Sequence, residues 1–350
     1  MILKQIKTST TLCSNFLLLI FIALVVFVKF YNIEYRSFSL DELYGVLAAL
    51  EPNYNTFLEN WILYDSNPPL YYFFLRFWLK IVPATEFWVR LPSVIFVLIA
   101  CIVFVKGIKN RFKNTEWFYL LLLLGTSFGF LFFAQEARAY GLLFLFVCLQ
   151  LLCFIDLTTT IQSKGFLKKI TLFTLYSVLS AYTHYTGIVF SGILFFLLIF
   201  IRRRESFILK QILLSIFICF TSGLLWLNYF LFILRLNKSF IINQDRVIIK
   251  EIISILFFGH TTIGKYISIS FLILVSFLII YLIRNFKEIK QQLKIVLLVG
   301  VISFILVLMS PFIKFFFQYR HFMILIPIVL LSISIYFHFM ILKLKQIICF

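Results

Sequence analysis

Long apolar stretches alternate with short polar segments along the whole chain. A helix needs about 20 apolar residues to cross the hydrocarbon core of a bilayer, so windows of that length are candidate spans. They occur near residues 14–31, 89–105, 117–134, 139–157, 170–185, 187–201, 209–230, 266–283, 294–313 and 322–342. The pattern predicts an all-α polytopic membrane protein with about ten transmembrane helices, forming a single membrane domain over residues 1–350.

The distribution of charge supports this arrangement, because Lys and Arg favour cytoplasmic connections between spans. Basic residues cluster in every second connection, at 106–113, 164–169, 202–210 and 284–294. Most Asp and Glu residues lie in the other connections, which makes 30–88 and 231–265 external loops. Both termini are then cytoplasmic, the first apolar stretch is an uncleaved span, and no soluble C-terminal domain is expected after the last span.

Composition excludes several other classes of protein. Hydrophobic residues make up 63% of the chain and charged residues 13%, which is incompatible with a water-soluble globular protein. The formal net charge of +18 does not indicate nucleic acid as a partner, because the basic residues lie in short runs between apolar stretches. Such runs orient spans and meet anionic membrane lipids. The six cysteines lie in apolar stretches or near the chain ends and indicate neither a disulfide nor a metal site.

The stretch NPPLYYFFLRFWLKIV, at 67–82, is apolar but would place basic residues in lipid if it crossed the membrane. It is therefore predicted to form a helix in the membrane interface, opened by two prolines. Its apolar face is predicted to contain Leu70, Phe73, Phe74, Phe77, Trp78 and Ile81, and its polar face Tyr72, Arg76 and Lys80. A second interfacial helix is expected near 247–258.

The segment between Lys169 and Arg202 is short for two full crossings of the membrane. At a rise of about 1.5 Å per residue this segment extends about 48 Å, whereas two full crossings need roughly 60 Å. The tip of the hairpin, AYTHYTG, is therefore expected to lie below the outer surface, which places His184 in a protein-lined cavity.

The stretch SLDELYG, at 39–45, contains adjacent carboxylates, Asp41 and Glu42, in a chain with few acids. Ser39 and Glu42 have the spacing of a capping box, in which each side chain accepts a hydrogen bond from the other residue's backbone N–H at the start of a helix. Asp41 would also suit the positive end of that helix. A helix cap and a catalytic role both explain the acid pair. The choice between them depends on the other polar groups predicted on the same side of the membrane.

Three further polar groups fall on the predicted external side. LYDSNPPLYY places Asp65 and Asn67 before a Pro-Pro step, which is typical of a turn. FFAQEARAYG places Glu136 and Arg138 in a very short connection, where a local ion pair is the alternative to function. FFFQYRHFMILIPIVLL places Arg320 at the start of the last span, where a snorkelling arginine is common.

In this order, the motifs resemble those of membrane-embedded glycosyltransferases with the GT-C fold, in particular the bacterial branch related to protein mannosyltransferases and the lipid A aminoarabinose transferase. The motifs are the acid pair, DSNPPLYYFFLRFWLK, RLPSVIFVL, QEARAYGLLF, YTHYTG and YRHFMILIPIVLL. The resemblance covers most of the chain and is most specific in its first half. The last motif usually reads Arg-Tyr in relatives, whereas here His321 follows Arg320.

The resemblance implies transfer of a sugar from a polyprenyl-phosphate carrier to a glycolipid, polysaccharide or protein acceptor, with inversion, at the outer face of the cytoplasmic membrane. By this resemblance, Asp41 is the base for the acceptor hydroxyl, Glu42 is the second choice, and Glu136 orients the acceptor or Asp41. Arg138 and Arg320 bind the donor phosphate. The other residues assigned to the site are His184, in the same cavity, and the loop-positioning group Asp65, Asn67, Pro68, Pro69 and Tyr71.

Two other classes of protein remain open. A transporter or flippase would also have many spans, but such proteins usually carry ionisable residues or helix breaks at mid-membrane depth. An O-antigen-type polymerase or ligase also acts on lipid-linked glycans, but it typically has late external loops rich in Arg, whereas the long external loop here comes first and is acidic. No cofactor is predicted; Asp41 and Glu136 are compatible with a divalent cation, but no spacing demands one.

Overall fold

The computed structural model describes residues 18–65, 67–112, 116–159, 163–236, 298–299, 302, 324–335 and 337. The parts it describes are helical, with no strand among them. In chain order the helices are α1 (Leu18–Phe30), α2 (Leu40–Leu50), α3 (Tyr54–Thr56), α4 (Leu70–Trp78), α5 (Glu86–Arg111), α6 (Glu116–Thr126), α7 (Phe128–Ala134), α8 (Tyr140–Leu157), α9 (Ser163–Thr183), α10 (Tyr185–Arg202), α11 (Ser206–Leu236) and α12 (Ile326–Ile335). A π-helical segment, Phe57–Ile62, continues directly from α3.

Four of the described helices are long and apolar enough to cross a membrane: Glu86–Arg111, Tyr140–Leu157, Tyr185–Arg202 and Ser206–Tyr229, the last within α11. Three shorter apolar helices, Leu18–Phe30, Trp117–Thr126 and Ile326–Ile335, fall within other predicted spans. The all-α membrane fold is therefore confirmed. The predicted span 266–283, most of 294–313 and the predicted interfacial helix near 247–258 lie outside the described residues.

Several helix boundaries differ from the predicted spans: α5 continues to Arg111, α9 begins at Ser163, and one predicted span is interrupted. The span predicted at 117–134 is divided at Ser127, whose backbone is extended (φ −65°, ψ 122°) and whose carbonyl accepts the first hydrogen bond of α7, from Leu131 N at 3.1 Å. An apolar window cannot reveal such a break, because both halves are equally hydrophobic. In addition, α11 continues to Leu236 rather than ending near residue 230, since the apolar helical pattern is not interrupted there.

The segment between α1 and α5 folds into α2, the α3–π segment and α4. Arg76 of α4 donates hydrogen bonds to the carbonyls of Glu51 and Pro52 at the end of α2 and lies 4.6 Å from the Phe57 ring centroid. Because the last carbonyls of a helix lack internal partners, a guanidinium at this position stabilises both helices. Arg76 therefore ties α4 to α2.

The buried and exposed sides of α4 do not coincide with its predicted apolar and polar faces. Its buried residues are Tyr71, Tyr72 and Leu75. Phe73 and Phe77 are exposed, as is Ile81 just beyond the helix. Part of the predicted apolar face thus points away from the protein, where a membrane interface would cover it, and Tyr72 from the predicted polar face points into the protein.

Helices α5 and α8 run parallel and form the centre of the described bundle. At their C-terminal ends Arg111 forms a bidentate ion pair with Asp156, at 2.7 and 2.5 Å. Lys169 of α9 also contacts Asp156, at 2.6 Å, and Arg202 of α10 donates to the carbonyl of Leu157. We call this cluster, Arg111, Asp156, Lys169 and Arg202, the basic end of the bundle.

A single non-helical residue, His184, joins α9 to α10. The two helices pack so closely beside this turn that a Cβ atom on Gly187 would lie 2.4 Å from the carbonyl oxygen of Ser180. Deeper in the bundle, the buried amide of Gln150 in α8 donates to Ser177 of α9 at 2.6 Å and to Ser191 of α10 at 2.8 Å. Hydrogen bonds of this kind hold membrane helices in one arrangement.

Candidate functional site

The site is built on the N-terminus of α2, at the opposite end of the bundle from the basic end. The capping box expected from the sequence is present: Ser39 Oγ accepts from the N–H of Glu42 at 3.3 Å, and Glu42 Oε2 accepts from the N–H of Ser39 at 2.9 Å. This arrangement fixes the first turn of α2. It also turns the Glu42 side chain back toward the segment that precedes the helix.

Glu42 and Arg90 form a fully buried ion pair. Arg90 Nε lies 2.8 Å from Glu42 Oε1 and Nη2 lies 2.9 Å from Oε2. The remaining donors of Arg90 go to the carbonyls of Ile33, Arg36 and Ser37, at 2.6 to 3.1 Å. Arg90 is 1% exposed and Glu42 0%. All five N–H groups of this guanidinium are therefore used within the protein.

A proline near the start of α5 helps to hold the turn that carries Arg90. Pro92 has no N–H, so it cannot donate to the carbonyl four residues earlier, that of Trp88. The indole N–H of Trp78, just at the end of α4, donates to this carbonyl at 2.7 Å. The bond satisfies a backbone acceptor that the proline leaves open and anchors α4 against the first turns of α5.

The connection between α7 and α8 joins the same structure. The backbone N–H of Ala137 donates to Glu42 Oε1 at 2.9 Å, and the side chain of Gln135 donates to the carbonyls of Lys29 and Tyr31. Each Glu42 oxygen now accepts two hydrogen bonds, which fills the capacity of a carboxylate. These contacts favour a structural role for Glu42; its assignment as a second-choice base stays a prediction.

Arg138, in the same connection, is used quite differently. Its Nη1 donates to the backbone carbonyl of Asp41 at 2.9 Å and to the Tyr72 hydroxyl at 3.0 Å, and it lies 3.9 Å from Asp65 Oδ2. Among the described residues, Nε and Nη2 of Arg138 donate no hydrogen bond. The residue is 8% exposed. A largely buried cation thus keeps two donor groups that no described residue occupies.

The loop before α4 brings Asp65 to this arginine. Asp65 Oδ1 accepts from the backbone N–H and from the side-chain amide of Asn67, both at 3.0 Å, while Oδ2 accepts from the Tyr72 hydroxyl. The prolines at 68 and 69 and Tyr71 are buried behind this turn and lead directly into α4. The loop-positioning residues therefore lie where they can fix Asp65, although their role in activity stays a prediction.

The electrostatic environment distinguishes the two arginine clusters. Burial alone would raise the pKa of Glu42, but hydrogen bonds from Arg90, Ala137 and Ser39 hold the pKa of this carboxyl below its ordinary value. Burial alone would lower the pKa of Arg138, but the carboxylates of Asp65, Asp41 and Glu136, together with the ionisable phenol of Tyr140, raise that pKa above its ordinary value. Both groups are therefore charged at neutral pH.

His184 lies at the same end of the bundle. It is buried, its Nδ1 accepts from the N–H of Thr186 at 3.2 Å, and its ring centroid lies 5.7 Å from that of Tyr140 at the start of α8. A turn at this position is what the sequence indicated. Its depth below the outer membrane surface stays a prediction.

The fold brings together most residues that the sequence singled out. Asp41, Glu42, Asp65, Glu136 and Arg138 share one end of the described bundle, and the backbone carbonyl of Glu136 accepts from the N–H of Arg138 at 2.8 Å. Arg320 lies outside the described residues. No three His, Cys, Asp or Glu side chains of the described part are grouped to hold a metal ion.

Two residues of the site were not assigned from sequence. Arg90 lies in RLPSVIFVL, and a charged residue near the start of an apolar span is a signal for a buried partner. Tyr72 lies in the stretch predicted to be interfacial, where a helical periodicity gave it to the polar face. Its contact with Asp65 and Arg138 depends on tertiary packing.

No protein-family model matches the chain, and no curated protein matches its sequence. The structure is similar to the crystal structure of ArnT from Cupriavidus metallidurans in the apo state, with a TM-score of 0.65 and 13% sequence identity. The similarity covers 92% of this chain and 60% of that one, so the chain spans about three fifths of the length of this ArnT. A likeness at this identity shows the fold alone, and it confirms the GT-C fold that the sequence motifs predicted.

Proposed function

We propose that the protein is an inverting glycosyltransferase that moves a sugar from a polyprenyl-phosphate carrier to an acceptor at the outer face of the cytoplasmic membrane. The observation that carries this proposal is Arg138. This charged guanidinium is held through one nitrogen at the backbone carbonyl of Asp41, and its Nε and Nη2 donate to none of the residues that the structure describes. A guanidinium with adjacent free donors matches the geometry of a phosphate group. The GT-C fold agrees with such an activity.

In the proposed reaction, the carboxylate of Asp41 takes the proton of the acceptor hydroxyl. The hydroxyl oxygen attacks the anomeric carbon of the sugar from the face opposite the carrier, forming the new glycosidic bond. The bond between the anomeric carbon and the phosphate oxygen breaks, and its electron pair leaves with the polyprenyl phosphate. Arg138 stabilises the charge that develops on this leaving group, which is where electrostatic catalysis has its largest effect.

The other candidate residues support this step. Glu42 positions Asp41, because its bonds to Arg90 and Ala137 fix the first turn of α2 against the connection that carries Arg138. Glu136 orients the acceptor or Asp41. Arg320 adds a second cation for the phosphate, and His184 borders the same cavity.

A lipid-linked donor follows from the side of the membrane on which the site is proposed to lie. Nucleotide sugars are cytoplasmic, whereas the acidic connections next to the site are proposed to face outward by the charge rule. A carrier lipid also presents its phosphate at the membrane surface, at the level where a site at the end of a helix bundle can reach it. Both chain termini are then cytoplasmic.

The test compares Asp41→Asn with Glu59→Gln, which neutralises an exposed carboxylate in the same external segment. Membranes containing each variant are supplied with a panel of labelled polyprenyl-phosphate sugars, and sugar consumption is measured. We expect the wild type and Glu59→Gln to consume one donor and Asp41→Asn to consume none. Transfer by Asp41→Asn at the wild-type rate would remove Asp41 as the base. Failure of the wild type with every donor would overturn the glycosyltransferase proposal.

A further inference from the structure

The hydroxyl of Tyr72 lies between an acid and a cation. It donates a hydrogen bond to Asp65 Oδ2 and accepts one from Arg138 Nη1 at 3.0 Å. Tyr72 is 2% exposed, so these bonds form away from competing water. The three side chains come from separate parts of the chain: the loop before α4, α4 itself and the connection before α8.

The chemistry of the three groups fixes the direction of both hydrogen bonds. An ionised carboxylate only accepts and a guanidinium only donates, so the Tyr72 proton must point to Asp65 and its lone pairs to Arg138. The same Nη1 also donates to the carbonyl of Asp41. With two acceptors on one nitrogen, the plane of the guanidinium is set, and Nε and Nη2 take a defined direction.

Asp65 and Arg138 form a long ion pair without a direct hydrogen bond between them. Its Oδ2 stays 3.9 Å from Arg138 Nη1, and its Oδ1 is occupied by the two donors of Asn67 at 3.0 Å. Asn67 engages Oδ1 only, and the Tyr72 hydroxyl lies between Oδ2 and the guanidinium. Without this hydroxyl, Asp65 could move onto the guanidinium as a direct ion pair and occupy donors that the ligand needs.

We propose that Tyr72 is a positioning residue that keeps Arg138 oriented toward the phosphate of the lipid-linked donor, an inference that rests on the proposed function. Tyr72 acts through Arg138 and touches neither the sugar nor the reacting atoms. Its effect is therefore on the binding of the phosphate group, and it should vanish when Arg138 is absent.

The packing of the Tyr72 ring makes a clean substitution available. The ring packs with Ala48, Phe57 and Ile62, and it makes an edge contact with Tyr44 at a centroid distance of 6.5 Å. Tyr72→Phe keeps this packing and removes only the hydroxyl. Tyr44→Phe is the matched control, because the Tyr44 hydroxyl donates to the carbonyl of Trp61 at 2.6 Å and not to Asp65 or Arg138.

The experiment measures binding of farnesyl phosphate to the purified full-length protein in detergent, with farnesol as the probe that lacks the phosphate. We expect Tyr72→Phe to weaken farnesyl phosphate binding about tenfold, a size typical of a lost hydrogen bond to a charged group, and to leave farnesol binding unchanged. Tyr44→Phe should change neither. In transfer assays, Tyr72→Phe should raise the KM for the donor more than it lowers kcat.

A double-mutant cycle tests whether Tyr72 acts through Arg138. In an Arg138→Gln background, Tyr72→Phe should have no further effect on farnesyl phosphate binding; a further loss there, or equal losses for both probes, would overturn the inference. Asp65→Asn is the second variant if Tyr72→Phe does not fold. The new amide would donate to Tyr72 and turn its proton toward Arg138, so it should also weaken farnesyl phosphate binding, and unchanged binding would count against Tyr72.

These results separate the two proposals. If the wild type binds farnesyl phosphate and transfers sugar while Tyr72→Phe behaves as the wild type, only the role of Tyr72 fails. If the wild type neither distinguishes farnesyl phosphate from farnesol nor transfers sugar, the proposed function fails, and the inference falls with it.

Discussion

Arg90 and Arg138 are both buried and both lie near the acid pair at the start of α2, yet the protein uses them in opposite ways. Arg90 donates all five of its N–H groups to Glu42 and to three backbone carbonyls. Arg138 is held through one nitrogen, and its Nε and Nη2 donate to no described residue. Burial alone therefore does not distinguish a structural arginine from one that is available to a ligand.

The difference lies in how the desolvation of each charge is compensated. A buried cation without matched partners is costly, and Arg90 meets this cost with a bidentate carboxylate and three carbonyls. Arg138 lies among several acids but contacts none of them by a short ion pair, since Asp65 Oδ2 is 3.9 Å away. An incoming phosphate would complete its coordination. The pair of arginines thus separates the framework of the site from the part proposed to bind the donor phosphate.

The largest effect should come from Arg90. Arg90→Met leaves Glu42 charged and buried without its partner, which typically costs about 3–5 kcal/mol. Melting temperature in detergent is the measurement, and Arg111→Met is the control. Asp156 is 19% exposed and keeps Lys169 at 2.6 Å, so this variant leaves no buried carboxylate without a cation and should be less destabilising than Arg90→Met. Equal destabilisation by the two variants would contradict the structural role of Arg90.

The next largest effect is on activity. Arg138→Gln removes the cation proposed to stabilise the leaving phosphate and should lower kcat about 10²–10³-fold, the size seen when one group that stabilises developing charge is lost. The Arg138→Gln protein should remain folded. Its melting temperature should lie closer to the wild-type value than the melting temperature of Arg90→Met does. Arg138→Lys keeps the charge but lacks the planar guanidinium, so its kcat should lie between those of the wild type and Arg138→Gln. Arg138→Gln that retains wild-type kcat would remove this residue from the chemistry.

The smallest effect is a dependence of stability on pH. The pKa of Glu42 is lowered in the folded protein from a reference value of 4.5, so its contribution is complete above pH 4.5 and is lost as pH falls toward the lowered value. In Arg90→Met the carboxyl is buried without a cation, which raises its pKa, so protonation relieves the penalty instead. The gap in melting temperature between the two proteins should narrow at low pH; a constant gap would argue against the Glu42–Arg90 pair as its source.

Local features of the site could be predicted from the sequence. The capping box at Ser39 and Glu42 depends on residues three apart, and the turn at Asp65 and Asn67 depends on residues two apart. At such short separations, the side-chain chemistry and the backbone geometry together determine the contact. Both features are present in the structure.

Contacts between distant segments could not be predicted in the same way. Arg90 pairs with a carboxylate 48 residues earlier, and Arg138 contacts the carbonyl of Asp41 97 residues earlier. Sequence periodicity predicts α4 as a helix and places Tyr72 on its polar face, but it does not say which side faces lipid and which faces α2. Which face is buried depends on the neighbouring helices, and a helix with aromatic residues all round carries little information on this point.

The connection between α9 and α10 consists of one residue, His184, and the neighbouring Gly187 has no space for a side chain. An inserted residue at this hairpin could not bulge outward as it would in an ordinary loop; it would have to unwind a helical turn or separate the two helices. Reporter tags and length changes should therefore be poorly tolerated here. The exposed segment around Asn53 to Asn55 is the better place for a tag at this end of the protein.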